Sequence, residues 1–258
     1  MKIIIPNAKE VNTNLENASF YPLSDRSKQV LDAISQFDVK KMAAFYKLNE
    51  AKAELEADRW YRIKTGQAKT YPAWQLYDGL MYRYMDRRGI DSKEENYLRD
   101  HVRIATALYG LIHPFEFISP HRLDFQGSLK IGNQSLKQYW RPYYDQEVGD
   151  DELILSLASS EFEQVFSPQI QKRLVKILFM EEKAGQLKVH STISKKGRGR
   201  LLSWLTKNNI QKLSDIQDFK VDDFEYCASE STANQLTFIR SIKCEIMNKI
   251  TFSDVKRI

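Results

Sequence analysis

An α+β fold, with a mixed sheet surrounded by helices and a single domain spanning residues 1–258, is predicted by three features of the sequence. Short apolar runs of strand character at residues 2–5, 153–157 and 174–180 are interleaved with segments whose apolar residues recur at helical spacing. No regular β-α-β succession links them, which argues against a doubly wound sheet. No internal repeat, low-complexity tract or Gly/Pro/Ser-rich linker divides the chain. Hydrophobic residues at 42% and charged residues at 28% describe a chain that buries a core and folds without a partner.

Residues 2–5 read as a buried strand stopped by Pro6. Residues 24–37, with Val30, Leu31, Ile34 and Phe37 on one face, and residues 49–63, behind Asn49, read as capped helices. The aromatic stretch 70–84 suggests a strand running into a helix near Asp78. Ser92 and Glu95 have the spacing of a capping box, and Leu98, Val102, Ala105 and Leu108 extend the predicted helix to about Tyr109, with Gly110 as its left-handed terminator. Ser135 caps a further helix that Pro142 is expected to kink or end. A second capping box is read at Ser160 and Glu163, directly after the strand 153–157. Residues 174–180 and 187–193 flank Lys183-Ala184-Gly185-Gln186 as a β-hairpin, and a second hairpin joins 225–228 to 236–239.

Composition excludes several functional classes. The first six residues are too short for a signal-peptide core, and no stretch approaches the roughly 18 apolar residues of a membrane span, so a cytoplasmic protein with no membrane partner is expected. Cys227 and Cys244 show neither metal spacing nor a Cys-x-x-Cys pair and are expected to be reduced, structural thiols. His101, His113, His121 and His190 form no ligand pattern, so neither metal nor cofactor is expected. Ser159 and Ser160 follow a strand without the Gly-x-Ser-x-Gly elbow of hydrolases.

A formal net charge of +5 favours polyanions, and its concentration matters more than its size. From Ser194 to Arg200 the chain reads Ser-Lys-Lys-Gly-Arg-Gly-Arg before the helical Leu201-Leu202-Ser203-Trp204-Leu205. That is the pattern of a glycine-rich turn feeding a helix N-terminus, where the amides of Gly197 and Gly199 could meet an anion beside Lys195, Lys196, Arg198 and Arg200. The spacing does not match a P-loop, so nucleotide hydrolysis is not indicated. The Gly-x-Gly turn is similar to that of helix-hairpin-helix modules, and residues 94–118 offer a second, helix-turn-helix-like candidate. Lys9 lies just past the carboxyl end of the first strand, where open sheets present binding groups, and Arg122 with Asp124 offers either an arginine for a ligand or a local ion pair.

Together these segments resemble the bacterial YaaA peroxide-stress family along nearly the whole chain. The resemblance is carried by Pro6-Asn7-Ala8-Lys9, Leu108-Tyr109-Gly110-Leu111 with Pro114, Pro120-His121-Arg122-Leu123-Asp124 and Tyr139-Trp140, then by Leu157-Ala158-Ser159 with Glu161-Phe162, and by Lys195-Lys196-Gly197-Arg198-Gly199. It implies a cytoplasmic protein of the hydrogen peroxide response, associated with low free iron and with binding of double-stranded or branched DNA. It also implies an unusual α+β fold with a basic cleft and a helix-hairpin-helix-like element. Ala107, His113, His121 and Gly197 stand where the family pattern has glycine, arginine, tyrosine and alanine. Loss of an arginine and a glycine near residues 107–114 moves the expected phosphate grip to residues 195–200.

The expected protein is therefore a monomeric DNA-binding protein that holds the phosphate backbone with little sequence preference. Its site would combine Lys9, Arg122, Lys195, Lys196, Gly197, Arg198, Gly199 and Arg200. One alternative is an enzyme acting on nucleic acid or a phosphorylated metabolite, with Lys9 or Asp124 as acid/base groups. Another, with the fewest candidate ligands, is an iron-handling protein.

Overall fold

The structure, a computed structural model, describes residues 1–149, 153–183 and 185–241. Cys244 and Ala184 of the hairpin turn lie outside the described residues. The first strand, Lys2–Pro6, occupies the middle of an eight-stranded mixed sheet. It runs parallel to Val102–Thr106 on one side and to Ile154–Ser156 on the other. Beyond Ile154–Ser156 come Leu174–Lys183 and then Gln235–Ser241, both parallel, so five central strands share one direction. Gly110–Ile112 and Glu225–Tyr226 close the two ends antiparallel, and Gln186–Lys188 folds back antiparallel on Leu174–Lys183.

Strand alternation divides the core between the two faces of this sheet. Ile3 and Ile5 join a cluster with Ile104, Leu155, Ile177, Phe179, Leu201 and Leu205, whereas Ile4 points into a second cluster with Ala105, Ile154, Leu174 and Trp140. All three isoleucines are at most 1% exposed, and full burial of each contributes about 1.5–3 kcal/mol. A strand buried on both faces reads as a continuous apolar run, which is why residues 2–5 were legible without alternation.

Most predicted helices form where their caps stand. The side chains of Ser24 and Asn49 accept from the Ser27 and Lys52 amides at the starts of Asp25–Ile34 and Glu50–Lys64. Ser135 and Gln138 make a reciprocal capping box on Leu136–Val148, and Pro142 sits inside that helix without ending it. The stretch 70–84 resolves into a short strand, Tyr71–Pro72, and two single-turn helices, Ala73–Leu76 and Leu80–Arg83.

Four expectations need correction. The capping box before residue 100 lies one position earlier, with Asp91 accepting from the Glu94 amide and Glu94 accepting from the Asp91 amide. That helix, Ser92–His101, stops well short of Tyr109, because Val102-Arg103-Ile104-Ala105-Thr106 pairs with the first strand. A doubly buried strand and an apolar helix face share the same residue types here, and tertiary pairing decided between them. The turn Ser160–Glu163 is capped one residue earlier than expected, at Ser159 and without a side-chain bond, which puts Phe162 at the third helical position, and Glu163 accepts from the Ser156 hydroxyl. The strand expected to reach residue 193 covers only Gln186–Lys188, and the helix Ser191–Lys207 begins immediately after.

Candidate functional site at the strand ends

The first strand sits where strand order reverses, with its next parallel neighbour on one side and Ile154–Ser156 on the other. In open sheets, ligands bind outside the carboxyl ends of the strands at such a reversal. Lys9 stands there. The chain leaving Pro6 is pinned by the Asn7 amide donating to the Ala105 carbonyl (3.1 Å), by Asn7 Nδ2 donating to the Leu123 carbonyl (2.9 Å), and by the Tyr82 hydroxyl donating to the Pro6 carbonyl (2.7 Å). These bonds bring the loop carrying Asp124 against the strand exit, and Lys9 Nζ lies 2.8 Å from Asp124 Oδ2. Gln126 connects the pair to the next loop by donating to Glu161. Burial, and next the neighbouring Asp124 charge, raise the Glu161 carboxyl above its usual range.

Glu161 and Glu163 share one helical turn, Ser160–Glu163, at the carboxyl end of Ile154–Ser156. Glu163 is buried, accepts from the Ser156 hydroxyl at 2.7 Å, and pairs with Lys176 at 2.9 Å. The Arg198 guanidinium lies within electrostatic reach of Glu163. Its Nε is enclosed and has no hydrogen-bond partner among the described residues. Burial lowers its pKa, opposed by Glu163, so the positive charge is held at a desolvation cost.

Arg198 reaches this position because residues 194–200 form the interior of the helix Ser191–Lys207, in place of a turn before a helix. The amides of Gly197 and Gly199 serve the helix ladder and are not free to receive an anion. The glycines have a packing reason instead. A Cβ on Gly197 would come within 2.6 Å of the Phe179 ring, and one on Gly199 within 2.3 Å of the Met81 carbonyl oxygen. Two missing side chains let the helix lie against the sheet and against Leu80–Arg83, and Arg198 is set down between them.

The remaining cations of this helix have different partners. Arg200 bonds Asp222 at 3.2 Å, lies 3.7 Å from Asp86, and covers the Tyr84 ring at 5.3 Å. Lys196, one turn earlier, covers the same ring at 4.8 Å. Lys195 is exposed, and among the described residues neither it nor Lys196 pairs with a carboxylate. Arg122 turns to Tyr46, with its guanidinium carbon 5.9 Å from the ring centroid. A cavity of ≈ 800 Å³ elsewhere has a mixed-charge lining that includes Trp74, Asp86, Tyr97, Asp100, Ser203 and Lys207, and none of the strand-end residues.

A family model described as "Peroxide stress protein YaaA" matches residues 1–230. The chain belongs to this family. A UPF0246 protein of Streptococcus gordonii (strain Challis) is 43% identical over 242 residues, covering 94% of this chain and 99% of that protein. One from Streptococcus pneumoniae serotype 19F (strain G54) is 41% identical, covering 94% and 100%. The matched region of this YaaA-family chain contains every strand-end residue described above.

Among the expected site residues, tertiary structure joins Lys9 to Asp124, and Gln126 ties that pair to Glu161 on the turn that also carries Glu163, whose charge acts on Arg198 without a direct bond among the described residues. Lys195, Lys196 and Arg200 follow along the same helix as Arg198. Residues 94–118 form the body of a helix, a β-hairpin of Val102–Thr106 with Gly110–Ile112, and the short strand Phe117–Ile118, in place of a helix-turn-helix. The residues missed are Glu161, Glu163, Ser156, Lys176 and Tyr84. Glu161 stands in the family motif after Leu157-Ala158-Ser159, Glu163 reads as part of a helix cap, and Ser156 is a polar residue inside the apolar run Ile154-Leu155-Ser156-Leu157, but none of these signals points to the site. Among the described residues, no three His, Cys, Asp or Glu are grouped to hold a metal ion. No helix among them is long and apolar enough to cross a membrane.

Proposed function

We propose that this YaaA-family protein binds DNA during the hydrogen peroxide response, gripping the phosphate backbone with little sequence preference and so limiting iron-dependent damage to DNA. The observation that carries this reading is the pair Lys195 and Lys196, which have no carboxylate partner among the described residues, on the helix that also holds Arg198, whose enclosed Nε has no hydrogen-bond partner among them. Cations already paired with carboxylates, such as Lys9 and Arg200, release fewer counterions on meeting a phosphate than free ones do. The free lysines then supply the main backbone contacts, Arg198 a buried charge, and Lys9 and Arg122 the far end of a basic track. Gly197 and Gly199 serve it only by setting helix depth.

A salt-dependent binding titration on duplex, single-stranded and branched DNA tests this. Replacing both lysines with Ala should weaken binding to every sequence and flatten the salt slope by about 1.8, that is about 0.9 for each lost phosphate contact. An unchanged slope in the folded double variant refutes the assignment.

The Lys9–Asp124 pair beside Glu161 supports a second reading, an enzyme on nucleic acid or a phosphorylated metabolite. An amine and carboxyl groups of different environment stand together there, as acid/base chemistry requires. In that case Lys9→Arg would abolish turnover of the substrate while DNA binding persists, because a guanidinium stays protonated.

A further inference from the structure

We infer that the strand-end site receives a terminal phosphomonoester, the phosphate at the end of a nucleic-acid strand, in preference to a phosphodiester within it. The inference rests on the DNA-binding reading and specifies its ligand.

Arg198 is unlike the other cations of its helix. The flanking glycines lower the helix onto Phe179 and the Met81 carbonyl, so the guanidinium is partly buried and its Nε is enclosed without a partner. A phosphate inside a strand carries a sugar on both sides and meets side chains that stand clear of the surface. A chain end is free on one side and can enter where a backbone cannot lie.

Charge around the site points the same way. Asp124 on its loop, and Glu161 and Glu163 on the turn Ser160–Glu163, stand at these strand ends, and a backbone laid across them would bring neighbouring phosphates beside carboxylates. A terminal phosphate brings about −1.5 to −2 charges into one group, against one for a diester. It also offers three acceptor oxygens, which suits the two-pronged geometry of a guanidinium. Removal from water strengthens such a bond and offsets the desolvation that the unliganded arginine bears. Lys195 lies three residues before Arg198, on the same helix face, where it would hold the strand leading to the end.

The shared chemistry is a phosphomonoester, and a free small phosphate ester could also present it, so the test separates the two sources. Binding of one short duplex is compared with 5′-phosphate, 3′-phosphate and hydroxyl ends and as a covalently closed circle, with inorganic phosphate and ribose 5-phosphate as competitors. The phosphorylated ends should bind about tenfold tighter than hydroxyl ends or the circle, the gain of one good charge-assisted contact. Arg198→Gln should erase that difference while keeping the weaker binding to hydroxyl ends, and Arg198→Lys should restore part of it. Thermal melting verifies that both variants fold, and the comparison of ends in the unaltered protein needs no variant. Equal affinity for every end and for the circle overturns this inference and leaves the DNA-binding reading standing. An end preference that survives in folded Arg198→Gln overturns the assignment to Arg198. Binding of ribose 5-phosphate with no binding of any DNA overturns the nucleic-acid source and the function proposed above together.

Discussion

The candidate site has two halves of different construction, one built from loops and one from a helix. In the loop-built half, Lys9 is fixed by Asp124, and Asp124 belongs to a segment held by the buried His121 and by the Asn7–Leu123 bond. In the helix-built half, Arg198 is placed by the fit of Gly197 and Gly199 against Phe179 and Met81, and no carboxylate contacts it directly among the described residues. Polar bonding positions charge where the chain is irregular, and packing positions it where the chain is regular. The first kind of placement responds to pH and salt, the second to volume.

The largest effect is expected from filling the helix half. Gly199→Ala puts a methyl group against a backbone carbonyl that cannot rotate away, and should cost about 3 kcal/mol, or about 6 °C in melting temperature for a chain of this size. Gly197→Ala meets a side-chain ring and regains helix propensity of about 1 kcal/mol, so its melting temperature should fall less. Equal losses in the two variants would show that helix depth is not set by the backbone contact.

Acid should break the loop half first. Burial depresses the His121 pKa to about 4, whereas an unfolded chain titrates near ~6.5. The unfolded state therefore binds the proton first, so this group's contribution is complete above about pH 6.5 and declines as pH falls toward 4, by about 1.4 kcal/mol per pH unit. The melting temperature measured from pH 7 to 5 should fall less steeply in His121→Gln. Parallel curves for the two proteins would place the acid sensitivity elsewhere.

Pairing should divide the helical cations. Lys196→Ala is expected to lower the salt slope of DNA binding by about 0.9, while Arg200→Ala, which removes a cation already held by Asp222 and Asp86, should lower it by less than half as much. Equal changes measured by titration would mean that ligand binding releases Arg200 from both carboxylates.

The smallest effect on folding belongs to Lys9. Its side chain is 48% exposed, and an exposed pair contributes little, so Lys9→Ala should shift stability by no more than about 0.5 kcal/mol. DNA affinity should nevertheless fall, and Lys9→Arg should restore it if charge is the requirement. Full affinity in Lys9→Ala would leave the helix half as the whole interface.

Much of this fold could be read from the sequence because its determinants are local. Ser24, Asn49 and Ser135 cap the helices behind them, and the apolar run after Met1 marks a doubly buried strand. The family, too, was legible in the ordered motifs from Pro6 to Gly199. Position after a strand put Lys9 at the sheet's carboxyl edge, but only tertiary structure could set Asp124 beside it, 115 residues away in sequence. The Val102–Thr106 segment and the basic stretch were misread for one physical reason. Apolar spacing at residues 98–108 fits a helix or a doubly buried strand, and Gly-x-Gly fits a turn or a helix pressed against a neighbour. Each choice depends on the surface that the segment meets. Pairing with the first strand decided the former, and contact with Phe179 and Met81 decided the latter, turning two expected anion-binding amides into the means by which Arg198 is buried.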